Sequence, residues 1–286
     1  MILLTGTSGQ LAKEFQRILP ERGLEFSAPL EEKLDISNFE QVKCAIEEIK
    51  PDVIINCAAY NLVDEAEEEP SLAFKVNSDA VENLAVLCRR FNIFLVHFST
   101  DYVFDGRKKE FYIEEDLVNP VNKYGESKLK GEELIKKHLN NFLILRLSWV
   151  IGEGRRNFLY KLFNWTKQKR ILKISCDEVS VPTYVEDVVH TTLLSLKKGL
   201  KGLYHLTNSG YCSRYELAKY FVKKMGLDNI LLPVPASSFI LTGTGKAMAK
   251  RPLFSAMSNG KISKELNISI PEWEDGVDRF IIRIYK

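Results

Sequence analysis

The stretch Ile2-Leu3-Leu4-Thr5-Gly6-Thr7-Ser8-Gly9-Gln10-Leu11-Ala12 decides the fold of this chain. Its first residues form a short apolar run typical of a buried strand, and from Gln10 onwards apolar side chains recur at helical spacing. Between the two, Gly6 and Gly9 permit a tight turn and let backbone N–H groups approach a phosphate at the positive end of a helix. The stretch therefore predicts a strand, a pyrophosphate-binding turn and a helix.

Strands and helices alternate beyond this turn through the first half of the chain. Apolar runs at 24–27, 53–57, 94–99 and 142–149 are typical of buried strands, and the segments 10–19, 38–50, 72–90 and 124–138 have the apolar spacing of amphipathic helices. Repetition of this kind predicts an α/β fold, a doubly wound parallel sheet of the Rossmann type with right-handed crossovers.

The pattern loosens after Trp149, which suggests two parts. We expect residues 1–150 to form the nucleotide-binding Rossmann domain and residues 151–286 to form mainly a smaller, substrate-binding lobe. Helical spacing recurs at 157–169 and 186–198, and the run 202–207 looks like a strand that returns to the main sheet.

Composition excludes several classes of protein. The 286 residues carry 40 basic and 38 acidic side chains, a net charge of +2, so no global field attracts nucleic acid or an anionic membrane. No run approaches the ~18 apolar residues of a membrane span, and no signal peptide precedes the first strand. The 5 cysteines lack Cys-x-x-Cys spacing and the 4 histidines are isolated, so we expect no metal site and a cytoplasmic protein.

A tyrosine and a lysine one helical turn apart carry the chemistry. Tyr124 and Lys128 follow the stretch 97–106, which places polar side chains at the end of the fourth predicted strand, where ligands bind to such sheets. A nearby ammonium lowers the pKa of a phenol, which makes the phenol a proton donor. The same spacing recurs in the segment 213–224, but there the tyrosines fit the core of an amphipathic helix. With the glycine turn, the pair predicts redox chemistry on a carbonyl or an alcohol with a nicotinamide cofactor.

These motifs, in this order and at this spacing, resemble the extended short-chain dehydrogenase/reductase superfamily and, within it, the dTDP-4-dehydrorhamnose reductases. The matching segments are 6–11, 34–36, 56–60, 63–67, 76–77, 99–106, 124–128, 146–152, 182–183 and 251–252, which extend almost to the C-terminus. Ala12 replaces the family's third glycine, and Cys57 replaces the first alanine after the third strand. Neither change affects a group that transfers a proton or a hydride.

The resemblance implies a role for each matching position. Thr100, Tyr124 and Lys128 would be catalytic, and Thr100, Asp101 and Trp149 would contact the sugar. NADPH or NADH would lie against Gly6, Gly9, Gln10, Leu11, Asp35, Ile36, Ala59, Tyr60, Asn61, Phe98, Tyr124 and Lys128. The implied reaction is reduction of the C4 keto group of dTDP-4-dehydro-6-deoxy-L-mannose to dTDP-L-rhamnose. The choice between NADH and NADPH stays open, as does a homodimer.

The diphosphate of such a sugar nucleotide needs a separate cation. The late basic segment 243–252 offers Lys246, Lys250 and Arg251. Arginine matches phosphate with a bidentate fork that lysine lacks. Because Arg251-Pro252 also coincides with a dipeptide of the family, we expect Arg251 to bind the substrate's diphosphate.

Two other functions remain open from the sequence. A nucleotide-sugar epimerase or dehydratase shares the fold and the tyrosine, although a dehydratase needs carboxylates after the catalytic threonine beyond Asp101. A non-catalytic, NADP-binding regulatory subunit of the methionine adenosyltransferase type also resembles the family. The intact Ser99-Thr100-Asp101 and Arg146-x-Ser148-Trp149 favour the reductase.

Overall fold

The computed structural model describes residues 1–154, 157–239 and 248–285. Its strands, in chain order, are β1 (Ile2–Thr5), β2 (Phe26–Ser27), β3 (Val53–Asn56), β4 (Phe94–Thr100), β5 (Phe142–Leu147), β6 (Val150–Ile151), β7 (Ile171–Ser175), β8 (Val179–Ser180), β9 (Thr183–Tyr184), β10 (Gly202–His205), β11 (Cys212–Ser213) and β12 (Ile230–Val234).

The α-helices surround these strands. In chain order they are α1 (Gln10–Glu21), α2 (Phe39–Ile49), α3 (Glu65–Glu68), α4 (Pro70–Phe74), α5 (Ala80–Phe91), α6 (Lys123–His138), α7 (Phe158–Gln168), α8 (Val185–Lys197), α9 (Arg214–Lys224), α10 (Gly260–Leu266) and α11 (Trp273–Tyr285). None of these described helices combines the length and the apolar composition needed to cross a membrane.

Six strands form one parallel sheet in the order β10-β5-β4-β3-β1-β2. One face packs against α1, α8 and α10, and the other against α2, α5 and α6. Strand residues such as Leu3 and Leu4 are fully buried because helices cover both faces. The doubly wound parallel sheet predicted from the sequence is therefore confirmed. At its edge, β10 lies beside β5, with Gly202 opposite Leu143.

The segment predicted as one helix over 72–90 is interrupted. A π-helical turn, Lys75–Asp79, separates α4 from α5. Within it, the buried side chain of Asn77 accepts a hydrogen bond from the Tyr60 N–H (2.9 Å) and donates to the Tyr60 carbonyl (3.0 Å). This π-turn places Asn77 where it fixes the loop after β3, a common use of such turns near functional sites.

A second apolar core lies after Ile151. It is built from α7, α9 and α11 against the parallel pair β7–β12. The buried face of α9 supplies Leu217 and Phe221, and that of α11 supplies Val277 and Phe280. This core holds the C-terminal segments against the carboxyl ends of the main-sheet strands, where a cavity opens.

Candidate active site

A cavity of about 1280 Å³ runs along the carboxyl ends of β1, β3, β4 and β5. One wall, which we call the sheet wall, contains Thr100, Tyr124 and Lys128 beside the glycine turn. A second group of lining residues, which we call the far wall, contains Trp149 and segments after residue 151, among them Arg214 and Arg251. The volume is ample for an extended ligand that reaches from one end to the other.

The glycine turn at one end of the cavity depends on the absence of side chains. Gly6 has φ +66°, and a Cβ there would lie 2.4 Å from the Ala58 backbone nitrogen. Gly9 precedes α1 and lines the cavity together with the first residues of that helix. The uncapped N-terminus of α1 therefore presents backbone N–H groups and a positive dipole end, a suitable environment for a phosphate.

Gln10 connects this turn to the segment after β5. Its side-chain amide donates to the Val150 carbonyl (3.1 Å), and its Oε1 accepts from Asn157 (3.3 Å). A Cβ on Gly154 would lie 3.2 Å from the Gln10 Cβ. The residues just after β6 thus close over the start of α1.

Tyr124 lies in the first turn of α6, next to the end of β4. Its hydroxyl donates to Asn61 Oδ1 at 3.5 Å, and its ring meets that of Tyr102 edge to face, with centroids 5.8 Å apart. Burial raises the pKa of Tyr124 above its usual value of 10, and a hydrogen bond with Thr100 opposes the rise. Our expectation that Lys128 lowers this pKa is wrong for this structure, because burial dominates. Tyr124 consequently stays protonated at neutral and weakly alkaline pH.

Lys128 is almost completely buried below Tyr124. Its Nζ donates to the Phe98 carbonyl at 2.7 Å and lies 3.3 Å from His97 Nε2. Burial lowers the pKa of Lys128 to about 8, although the charge of Glu132 opposes this. None of the ion pairs within residues 1–154, 157–239 and 248–285 includes Lys128.

Thr100 and Asp101 end β4 and join it to the C-terminal segments. The Thr100 hydroxyl donates to Asp101 Oδ1 (3.2 Å) and accepts from the Tyr102 N–H (3.2 Å). Asp101 Oδ2 accepts from Ser180 (2.9 Å) and Ser255 (2.5 Å). Burial raises the pKa of Asp101 to about 6, opposed first by these serine hydrogen bonds. The Asp101 carboxylate therefore connects the end of β4 to the segments that contain Ser180 and Ser255.

Trp149 has a strained backbone and a cationic neighbour. Its φ is +36°, a left-handed value that bulky residues rarely adopt, so the predicted strand 142–149 ends at Leu147 instead. The Arg214 guanidinium lies 3.5 Å from the centre of the Trp149 ring and 3.9 Å from Glu178. Arg214 thereby fixes the Trp149 ring in the wall of the cavity.

Arg251 lines the cavity but already has a carboxylate partner. Its NH2 lies 3.0 Å from both oxygens of Asp64, and its NH1 donates to the Ala249 carbonyl at 2.9 Å. Lys250 is exposed at the same end of the cavity. Lys246, the third candidate cation, lies outside the described residues.

The structure brings most of the predicted site residues to the cavity. Those that line it are Gly9, Gln10, Leu11, Ala59, Asn61, Phe98, Thr100, Asp101, Tyr124, Lys128, Trp149 and Arg251. Gly6 shapes the turn from behind, and Ile36 and Tyr60 do not line the cavity. Asp35 does not line it either, and its carboxylate accepts hydrogen bonds from the backbone N–H and the hydroxyl of Ser37, both at 2.8 Å.

The remaining Tyr-x-x-x-Lys pairs lie elsewhere, in α9. Tyr220 donates to Asp278 (3.0 Å) and packs edge to face on Trp273, while Lys224 pairs with the same Asp278 (2.6 Å). Tyr220 and Lys224 thus connect α9 to α11. No group of three or more His, Cys, Asp or Glu within the described ranges is arranged to hold a metal ion.

Sequence reasoning missed several polar residues that form the site. Arg214 and Glu178 reach the far wall from segments that carry no recognisable motif. Asn56 and His97 are paired positions of the neighbouring strands β3 and β4, and His97 lies next to Lys128. The signal for this second pair was available, because each is a polar residue within an apolar parallel strand, which requires a buried partner.

Comparison with known proteins identifies the family. The family model described as the RmlD substrate binding domain matches residues 1–286. A dTDP-4-dehydrorhamnose reductase of Aggregatibacter actinomycetemcomitans is 35% identical over 96% of this chain and 95% of its own.

Solved structures agree with this. A dTDP-4-dehydrorhamnose reductase from Clostridium acetobutylicum has TM-score 0.94 at 34% identity and covers 100% of this chain and 99% of its own. The enzyme from Bacillus anthracis, in complex with NADP, has TM-score 0.93 at 35% identity, with 99% and 98% covered. The chain therefore belongs to the dTDP-4-dehydrorhamnose reductase family, whose model is described as the RmlD substrate binding domain.

Proposed function

We propose that this protein reduces the C4 keto group of dTDP-4-dehydro-6-deoxy-L-mannose (dTDP-4-dehydrorhamnose) with NADPH or NADH and so forms dTDP-L-rhamnose. The main observation in support is that Thr100, Tyr124 and Lys128 line one wall of the same cavity. At one end of this cavity, the N-terminus of α1 follows the glycine turn and has no side-chain cap. The named activity of its relatives supports the same reaction.

The cofactor fits the glycine end of the cavity. Glycine at position 6 lets the turn pass directly against the backbone of Ala58, and Gly9 lines the cavity just before the backbone N–H groups that open α1. Gln10 and Leu11 extend this surface, while Ala59, Asn61 and Phe98 lead from it towards Tyr124. The NADP in the Bacillus anthracis relative supports a nicotinamide dinucleotide here. When bound in reduced form, it supplies the hydride.

Tyr124 serves as the general acid. Because burial keeps its pKa high, the hydroxyl holds its proton until an alkoxide develops on the substrate oxygen and then donates it. The Thr100 hydroxyl stabilises the same oxygen by a hydrogen bond, as oxyanion donors do. Lys128 supplies positive charge beneath the tyrosine and holds the nicotinamide ribose. The tyrosinate then regains a proton from water.

The far wall holds the sugar nucleotide. The Trp149 ring, fixed by Arg214, offers a flat surface for the hexose, and Asp101 lies beside the reacting end. Arg251 binds the diphosphate, which replaces part of its contact with Asp64. On this view residues 1–150 mainly bind the cofactor and residues 151–286 mainly bind the substrate, with β10 as the exception that belongs to the sheet.

The assay that tests this function combines the purified protein, the dTDP-linked 4-keto sugar and NADPH or NADH. We expect equimolar loss of reduced cofactor and gain of dTDP-L-rhamnose by chromatography. Isomerisation of the sugar without net cofactor loss would indicate an epimerase. Tight cofactor binding without any turnover would indicate a regulatory subunit, and either result would overturn the proposal.

A further inference from the structure

A row of buried polar side chains crosses three adjacent strands and ends at Lys128. Thr5 of β1 lies opposite Asn56 of β3, and Asn56 lies opposite His97 of β4. All three are at most 2% exposed. Three polar residues in facing positions of a parallel core are costly unless they satisfy each other, so their hydrogen bonds define the orientation of each group.

The orientation of the Asn56 amide follows from its backbone neighbour. One of its terminal atoms lies 3.2 Å from the Ala58 N–H and 2.6 Å from the Thr5 hydroxyl. Since a backbone N–H can only donate, that atom must be the carbonyl oxygen. The amide nitrogen therefore faces His97 Nδ1, at 3.1 Å.

The proton on His97 is then determined as well. The Asn56 NH2 group can only donate, so His97 Nδ1 must accept. Burial holds the pKa of His97 well below 6.5, and the charge of Lys128 acts in the same direction, so the ring is neutral. A neutral imidazole with an accepting Nδ1 carries its proton on Nε2, and this atom lies 3.3 Å from Lys128 Nζ.

We infer that Asn56 and His97 are positioning residues that fix an N–H group against Lys128 and so make its ammonium easier to deprotonate. This inference rests on the proposed function only for its catalytic consequence. A neutral amine accepts the His97 N–H, whereas an ammonium faces it donor to donor. Lys128 thus becomes a group that can change its charge during the reaction instead of a permanent cation.

Other groups around Lys128 act on the same equilibrium. Glu132, one turn later on α6, favours the ammonium, but it is itself bound by Arg146 (2.8 Å) and Ser99 (2.6 Å). Cys57, after β3, would act in the same direction only as a thiolate, and burial raises the pKa of its thiol, so it stays neutral. Tyr124 lies one turn before Lys128 and stays neutral. Burial and the His97 N–H oppose these groups, and the resulting pKa of about 8 places the change of charge just above neutral pH.

The first test measures the tautomer directly, in the protein without substrate. Long-range ¹H–¹⁵N NMR of the imidazoles, assigned with His97→Phe, should show His97 neutral and protonated at Nε2 between pH 6 and 9. This range is informative because it includes the pKa of a free histidine, about 6.5. Observation of the Nδ1-protonated form or of an imidazolium in wild type would overturn the inference. This result does not depend on whether the protein reduces the keto sugar.

The second test moves the N–H group. Asn56→Asp can only accept, so it should shift the His97 proton to Nδ1. His97→Phe removes the N–H without adding charge. Each should raise the pKa of Lys128, followed by ¹³Cε NMR and assigned with Lys128→Met, by about one unit. The alkaline limb of kcat should shift upward by the same amount. Thr5→Val is the matched control in the same row, because Ala58 still orients Asn56, and it should leave both values unchanged.

The outcomes are distinct. A shift in both variants but not in Thr5→Val supports the inference. A shift in Asn56→Asp alone would show that added charge, not the tautomer, moves the pKa, and would overturn it. If the Lys128 titration shifts in both variants but the wild-type protein does not reduce the keto sugar, the proposed function fails while the positioning role stands.

Discussion

The sheet wall and the far wall hold their cations in opposite ways. On the sheet wall, Lys128 is bound by neutral partners, the Phe98 carbonyl and His97. On the far wall, Arg251 contacts both carboxylate oxygens of Asp64, and Arg214 lies 3.9 Å from Glu178. A cation with neutral partners keeps its charge available and sensitive to its surroundings, whereas one paired to a carboxylate must exchange that partner to bind an anion. This difference is consistent with our proposal that the sheet wall carries the chemistry and the far wall binds the substrate.

Removal of the Tyr124 hydroxyl tests the sheet wall, and its expected effect is the largest. Tyr124→Phe should lower kcat by about 10²- to 10⁴-fold, the usual contribution of a general acid. The Kd of the cofactor, measured by fluorescence titration, should stay near the wild-type value. Tyr220→Phe is the control, since this hydroxyl binds Asp278 in the C-terminal core and should not affect turnover. A Tyr124→Phe rate above a tenth of wild type would remove Tyr124 from the mechanism.

Lys128→Met should affect both binding and the pH profile. Loss of a charge-assisted hydrogen bond of about 1.5–3 kcal/mol weakens cofactor binding by roughly 10- to 100-fold. The alkaline limb of kcat should also disappear, because the group with a pKa of about 8 is gone. Isothermal titration and a pH series of kcat measure the two effects. An unchanged profile with unchanged cofactor Kd would show that Lys128 is only structural.

Arg251→Ala tests the far wall. The KM of the sugar nucleotide should rise about 10-fold, since one charge-assisted contact to the diphosphate is lost. The cofactor Kd should not change. Lys250→Ala is the control from the same end of the cavity, and its KM should stay within about twofold if a bidentate fork is required. Equal effects of the two variants would argue for a diffuse basic patch instead.

Asp101→Asn tests the hydrogen bonds that connect the two walls. The measured quantity is the stability of the protein, not its reaction rate. The folded-state pKa of Asp101 is raised to about 6 from 3.8, so ionisation opposes folding. The contribution of protonated Asp101 to the free energy of unfolding is therefore fully present below pH 3.8 and is lost as the pH rises through about 6. Its size is on the order of 2–3 kcal/mol. Urea unfolding of the variant should therefore lose less stability between those pH values than wild type does. Parallel pH dependences would mean that Asp101 ionises freely.

The sequence predicted the sheet and the sheet wall better than the far wall. Apolar periodicity and the Gly6-x-x-Gly9 spacing are local signals, and the carboxyl ends of parallel strands necessarily meet at one edge. The position of Arg214 against Trp149 depends on a separate core that brings distant segments together, and no local pattern reports it. The pKa of Tyr124 was misjudged for the same reason, because burial is a property of the assembled fold.

The break in the helix 72–90 has a similar origin. Leu72, Val76 and Ala80 keep helical spacing, so the sequence alone favours one continuous helix. The π-turn coincides with Asn77, which bonds to both backbone groups of Tyr60, 17 residues earlier in the chain. A long-range polar contact of this kind is visible only once the strands and helices are assembled.

Isotope tracing tests the central claim, hydride transfer in this cavity, most directly. The protein is incubated with the dTDP-linked 4-keto sugar and NADPH that carries deuterium on the transferable position of the nicotinamide. We predict one deuterium at C4 of the sugar in the product, detected by NMR, with wild type and with Tyr220→Phe, and almost none with Tyr124→Phe. Product formed without deuterium at C4, or deuterium transfer undiminished in Tyr124→Phe, would contradict the account.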